Sequence, residues 1–193
     1  MKRSIILSLA ILLTAAQALG YKQEDLTKLR ENNTCVDCDL REANLGGSDL
    51  READLSGADL SNADLFRTIL TNAYLARANL HGAYLHGDLS SADLSSADLR
   101  ETYLSGVNLS GVNLSGANLS GANLFKVSLS GANLSRANLD GIKLKETNLT
   151  KAILRDTDLS SLAVEELQDA GLEMDQFCRT KTSFGVLNPD CRD

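Results

Sequence analysis

Residues 53–65 read ADLSGADLSNADL, and residues 107–124 read VNLSGVNLSGANLSGANL. Both repeat one five-residue phrase whose Leu recurs through most of the chain. Leu stands at every fifth position from Leu40 to Leu85, steps four residues to Leu89, and resumes every fifth position to Leu159, giving twenty-five repeats. A period of five matches neither an α-helix nor an ordinary strand. With Leu as position i, i−2 is small or β-branched (Ala43, Ala53, Thr68, Val107), i−1 is mainly Asp or Asn, i+1 is often Ser and i+2 often Gly. Two inward residues, i and i−2, and three that face water describe a short straight side followed by a corner, which Gly at i+2 eases. Four such sides close a square coil of about twenty residues, and about six coils stacked at strand spacing make a rod roughly 30 Å long. Each coil then satisfies its neighbours' backbone, and stability accumulates coil by coil.

The same strings match the A(D/N)LXX consensus, and over residues 39–159 the chain resembles the pentapeptide-repeat family. The resemblance implies an all-β solenoid, the right-handed quadrilateral (four-sided) β-helix, with a handedness that periodicity alone leaves open. Some members of that family bind DNA gyrase by imitating duplex DNA, which provides one alternative function for an acidic rod.

Composition agrees with a narrow core. The chain has no Trp, one Pro, four Phe and four Tyr, so Leu and Ala supply its apolar content. Its net charge is −7, and because Lys2 and Arg3 are the only charges before residue 21, the remainder carries −9. That balance excludes nucleic acid as a partner, since phosphate binding needs basic patches. Residues 1–18 read as a signal peptide: Lys2 and Arg3 begin it, Ser4 to Ala16 is apolar, and Ala16-Gln17-Ala18 offers cleavage after Ala18, with Ala18-Leu19-Gly20 as the second choice. The apolar run is short for a membrane span, so no stable anchor is expected after cleavage.

A solenoid exposes apolar cross-sections at its ends and needs caps. Residues 19–38 are expected to form a helical cap, with a helix over 21–31 burying Leu26 and Leu29. Residues 160–193 are expected to form a second helical cap and a disulfide loop. Its helix is expected over 160–175, with Ser160 or Ser161 as N-cap, Leu162, Leu167 and Leu172 buried, and Gly171 ending it. All four cysteines lie in these ends: Cys35, Cys38, Cys178 and Cys191. An even count in an exported chain reads as disulfides, whereas a redox CxxC needs a βαβ context and a four-Cys zinc site would need the two ends to meet. In repeat phase Cys35 and Cys38 both point inward near one corner, which gives Cys35–Cys38 and leaves Cys178–Cys191 to close the C-terminal loop. The segments TCVDCDL (34–40) and FCRTKTSFGVLNPDC (177–191) also resemble the ends of exported cyanobacterial and plastid-lumen pentapeptide proteins, implying a thylakoid lumen or periplasm.

Catalytic patterns are lacking. His81 and His86 both occupy i+1 and are expected to face outward, and no P-loop, Rossmann glycine pattern or HExxH is present. The Asn-x-Ser/Thr strings are by-products of the repeat, and scattered single carboxylates make no calcium cage. No catalytic residue, cofactor or metal is expected. The reading is a non-catalytic structural or protein-binding module in an extracytoplasmic compartment. A topoisomerase-binding duplex mimic is one alternative; an unrecognised hydrolase, with a cleft at the register slip, is the other.

Two surface features bear on a partner. Residues 39–104 hold eleven acids and five bases, whereas 105–159 hold four acids and six bases. The Leu85-to-Leu89 step, taken as one residue lost at a corner, places Leu45, Leu65, Leu85, Leu104, Leu124 and Leu144 on one side. Phe66, Tyr84, His86, Tyr103 and Phe125 then lie beside them, facing out on four consecutive coils and including four of the chain's eight aromatics. An exposed aromatic patch of this kind is a candidate interface for a partner protein or for self-association.

Overall fold

The computed structural model describes residues 20–173, 176–183, 185–188 and 191. The expected signal peptide, and Met174 and Asp175 of the expected C-terminal helix, lie outside the described residues.

Between the ends the chain winds as four columns of parallel bridges, one per side. Side 1 stacks Thr34, Asp54, Tyr74, Asp93, Asn113, Asn133 and Ile153; side 2 runs from Asp39 to Asp158; side 3 stacks Asn44, Asp64, Tyr84, Tyr103, Asn123 and Lys143; side 4 runs from Asp49 to Asn148. Partners are twenty residues apart, except that columns crossing the step at residues 85–89 shorten to nineteen, as in Tyr74–Asp93 and Tyr84–Tyr103. The i and i−2 side chains fill the interior; the repeat leucines from Leu40 to Leu159 are at most 5% exposed.

One bonding scheme recurs at each repeat. Leu40 donates its N–H to Asp59 O in the coil above, and Asp59 N–H donates back to Cys38 O. Ala43 N–H returns to Leu40 O across the corner at 3.1 Å, with Glu42 at φ 58°, a turn of the kind that carries positive φ at its third residue. Where threonine replaces alanine at i−2, the buried hydroxyl is bonded: Thr68, Thr102, Thr147 and Thr157 donate to Leu45, Leu80, Leu124 and Leu134 carbonyls in the coil below.

The slip is absorbed on the corner between sides 3 and 4. There β1 (Asp64–Ile69) pairs in parallel with β2 (Tyr84–Asp88), and the register shifts between Phe66 and Ile69. Among the described residues none between Gly82 and Ser91 has positive φ, so Gly87 cuts its corner instead of rounding it. A Cβ on Gly87 would collide with the Thr68 carbonyl oxygen, which is why the shortened coil passes here on glycine.

At the N-terminus α1 (Gln23–Asn32) covers the first coil with buried Leu26 and Leu29 and ends at Asn33, φ 54°. Asp25 Oδ2 accepts the Asp39 N–H at 2.9 Å, tying the helix to the coil. Cys35 and Cys38 are joined, with Cα atoms 5.3 Å apart.

The C-terminal expectation needs correction. Instead of a helix over 160–175, α2 covers only Val164–Asp169. The repeat runs one corner further than its last Leu suggests: Leu162 N–H closes a turn on Leu159 O, and Leu162 is buried in an i−2 place. Ser160 belongs to that corner, held by Asp158, and is not a helix cap. Leu167 and Leu172 pack only partly buried against the core, and Gly171 takes φ 76°. A hairpin follows, β3 (Thr180–Thr182) against β4 (Gly185–Leu187). This cap supplies the acceptors that a further coil would: Ala170, Gln176, Cys178 and Lys181 carbonyls receive the N–H groups of Leu149, Leu154, Asp156 and Leu159. Cys178 and Cys191 are joined, with Cα atoms 5.7 Å apart.

Candidate functional site

The polar row at i−1 sets the character of most of the surface. Its Asp and Asn side chains do not simply face water. Each turns its Oδ1 onto the backbone N–H of i+1, as in Asp59 to Ser61 at 3.0 Å and Asn118 to Ser120 at 3.1 Å. That bond occupies a donor the corner leaves over, so Asp and Asn are favoured by turn chemistry.

Between coils the row forms ladders. Asn79, Asn108 and Asn113 donate Nδ2 to the Oδ1 of Asp59, Asp88 and Asp93 directly below, each at 3.0 Å. Asp stacks directly on Asp once among the described residues, Asp39 on Asp59, and there Arg41 lies 2.8 Å from one and 3.9 Å from the other. Arg at i+1 also grips its own i−1 acid in Asp39–Arg41, Asp49–Arg51 and Asp98–Arg100. The guanidinium bonds hold these three carboxyls below their ordinary range. Asp39, Asp49 and Asp98 are thus paired with arginine and Asp59, Asp88 and Asp93 are bonded by amides, while the net excess of acid over base in the N-terminal coils remains.

Side 3 differs. Tyr84 and Tyr103, in its i−1 column, stack face to face with ring centroids 4.7 Å apart and planes 1° apart. Phe66 and His86, one coil apart on the adjoining corner, lie 5.0 Å apart. Arg67 sits over the Phe66 ring at 5.2 Å and Lys126 over Phe125 at 5.0 Å. Phe66, Tyr84 and Tyr103 are 47%, 54% and 55% exposed, and Phe125 is half-buried. A hollow of about 160 Å³ lies among Phe66, Tyr84, Leu85, His86, Tyr103 and Ser105. The structure thus brings the five sequence-selected residues to one side, with Phe125 at its upper margin.

His81 departs from the expectation that both histidines face outward. His86 is exposed, but His81 is half-buried, with Nδ1 enclosed and unbonded. It stands beside Asp98 and Arg100 of the next coil. Asp25, Cys35 and Cys38 also come together, but both sulfurs are joined to each other and Asp25 holds the Asp39 N–H, so the group serves the cap. Among the described residues no helix is long and apolar enough to cross a membrane.

The pentapeptide-repeat sequence profile matches residues 35–72, 88–124 and 128–161, more than half of the chain. The chain belongs to the pentapeptide-repeat family. Members of this family are right-handed quadrilateral β-helices and generally serve as non-catalytic structural or binding modules. The chain is similar to HetL of the cyanobacterium Nostoc sp. strain PCC 7120, a pentapeptide-repeat protein involved in heterocyst differentiation regulation, at 31% identity over 76% of this chain and 75% of that one, TM-score 0.47. A pentapeptide-repeat protein of the Arabidopsis thaliana thylakoid lumen is 29% identical over 56% of this chain and 70% of that one, TM-score 0.28. QnrB1, a plasmid-mediated fluoroquinolone resistance protein, is 22% identical over 61% of this chain and 63% of that one, TM-score 0.48. No match to a curated protein sequence was found.

Proposed function

We propose that this pentapeptide-repeat chain is an exported, right-handed four-sided rod that works without catalysis, binding a protein partner through side 3 in a thylakoid lumen or periplasm. The observation that carries the reading is the group of Phe66, Tyr84, Tyr103 and Phe125 on one side of a mainly polar surface, where the other exposed large apolar residues among the described residues are scattered singly. Monomers rarely leave aromatic area contiguous and open, and aromatic side chains supply most hot spots of protein interfaces. Export is supported by the apolar N-terminal segment and by the two joined cysteine pairs, a usage typical of oxidising compartments. A duplex-DNA mimic needs rows of free carboxylates, and the arginine bonds at Asp39, Asp49 and Asp98 weigh against that alternative.

The test is comparative capture from the native exported fraction. Wild-type protein retains a partner that the double variant Tyr84→Ser, Tyr103→Ser loses, while the thermal midpoints of the two agree closely. Equal capture by both overturns the role of side 3.

A further inference from the structure

Side 1, opposite the aromatic ladder, carries its counterpart. Tyr74 is 55% exposed there, with Asp54 one coil below and Asp93 one coil above. Neither aspartate is in an ion pair among the described residues. Side 3 presents the complementary order. Its hollow of about 160 Å³ is below the roughly 300–1,000 Å³ of small-molecule sites and suits a single side chain. Arg67 lies over the ring of Phe66, one of the residues lining the hollow, and is likewise in no ion pair among the described residues; the Tyr84 and Tyr103 side chains line the hollow too.

Heights along the rod agree as well. Tyr74 and Tyr84 belong to one coil, two sides apart, so they differ in height by half a coil, about 2.4 Å at strand spacing. A second rod laid alongside the first, parallel and without sliding, brings its Tyr74 between the Phe66 and His86 levels. Its Asp54 then lies near the level of Arg67, and its Asp93 near the two tyrosines.

We infer that the occupant of side 3 is a second copy of this chain, inserting Tyr74 of its side 1 into the hollow beside Tyr84, with Asp54 against Arg67. The inference deepens the binding role proposed for side 3. Because the two surfaces lie on opposite sides of one rod, the contact is heterologous: each added copy leaves a free side 1 at one margin and a free side 3 at the other, and rods line up in an open row.

Sedimentation velocity of the purified protein over a concentration series tests this. The wild type forms concentration-dependent species beyond the dimer, weakened by salt. Tyr74→Ser and Tyr84→Ser each weaken association about tenfold or more, as loss of an interfacial aromatic does, with unchanged thermal midpoints. An equimolar mixture of the two variants, which retains one intact side 3 and one intact side 1, associates again and stops at the dimer. A wild type that stays monomeric overturns the inference, as does a mixture that fails to associate. Tyr84→Ser abolishing association while Tyr74→Ser leaves it intact also overturns it, because that marks a symmetric contact of side 3 with itself. If the protein is monomeric yet captures a different partner through Tyr84 and Tyr103, the inference fails and the proposed function stands.

Discussion

The corner at Leu109–Val112 and the corner at Leu85–Leu89 both carry a glycine, and the two glycines answer different demands. At the first, Gly111 takes φ 67°, Val112 N–H bonds to Leu109 O, and Asn108 Oδ1 holds the Ser110 N–H. Space around Gly111 is ample, the nearest atom to an added Cβ being Ser91 Oγ at 3.5 Å. At the second, Gly87 is outside the positive-φ region and presses against the backbone of Thr68. Regular corners demand a backbone angle, which Glu42, Asn62, Ser91 and Ser96 supply without being glycine. The cut corner demands absence of a side chain, and a single residue type meets that. The same corner gathers the exposed aromatics, since its chain runs as paired strand between Phe66 and His86 instead of turning at once.

The largest effect expected from this contrast is on Gly87. Replacing it with Ala forces the Thr68 backbone aside and destabilises the fold by about 3 kcal/mol, the upper range for overpacking. Gly111→Ala, a matter of dihedral angle alone, costs about 1 kcal/mol. Chemical denaturation of the two variants measures the difference, and equal losses would dissolve the distinction between the corners. Next comes the polar ladder. Asn113→Ala removes bonds to Asp93, Ser115 and Asn133 and costs about 1 kcal/mol. Asn113→Asp keeps the bond from Ser115 but sets a carboxylate over Asp93, so its deficit fades as pH falls below the carboxylate range, whereas that of Asn113→Ala does not. A third experiment removes the Tyr84–Tyr103 stack: the double serine variant loses about 0.5 kcal/mol, the lower range for an aromatic pair, and a much larger loss in thermal denaturation would make the ladder a structural brace.

The smallest effect lies at the C-terminal cap. Bonds from Lys181 and from Ser160 lower the Asp158 carboxyl to about 2, and Arg179 holds Asp156 below its usual range. A carboxyl depressed in the folded state stabilises above its unfolded value, about 3.9 for Asp, and the contribution fades as pH falls toward the folded one. Amide exchange at Thr180–Thr182 therefore accelerates as pH drops from 4 toward 2, once the intrinsic pH dependence is divided out, while that of Leu114 and Leu119 holds. Asp158→Asn reproduces the acceleration at neutral pH.

What the sequence discloses follows the physical role of each residue. Leu and Ala columns need only burial and narrowness, and a period of five expresses both, so the four sides and the nineteen-residue coil were arithmetic. The i−1 row reads as plain solvent-facing polarity because an Asp bonded to water and an Asp bonded to a corner N–H leave the same letter in the sequence. Thr68, Thr102, Thr147 and Thr157 looked merely β-branched, and their bonds to carbonyls one coil away span more than twenty residues. The sequence suggests too long a C-terminal helix because Leu162, Leu167 and Leu172 mimic an amphipathic face while Leu162 in fact completes a corner. The hairpin of Thr180–Thr182 and Gly185–Leu187 leaves no sequence signal: strands of three residues carry too little alternation to register.

The ladders bear on how such a rod lengthens over generations. A copied coil must sit on its original. Duplicating residues from the Asn113 to Asn133 levels sets amide on amide on three of the four sides, each able to donate to the amide below and accept from the one above, and the copy can be copied again. Duplicating the first coil sets Asp39, Asp49 and Asp54 above themselves; Arg41 and Arg51 stand at i+1 of the first two, whereas Asp54 has Ser56 there. Growth by tandem duplication is thus open in the amide-rich coils and opposed in the first coil at Asp54, unless a new arginine arrives with it.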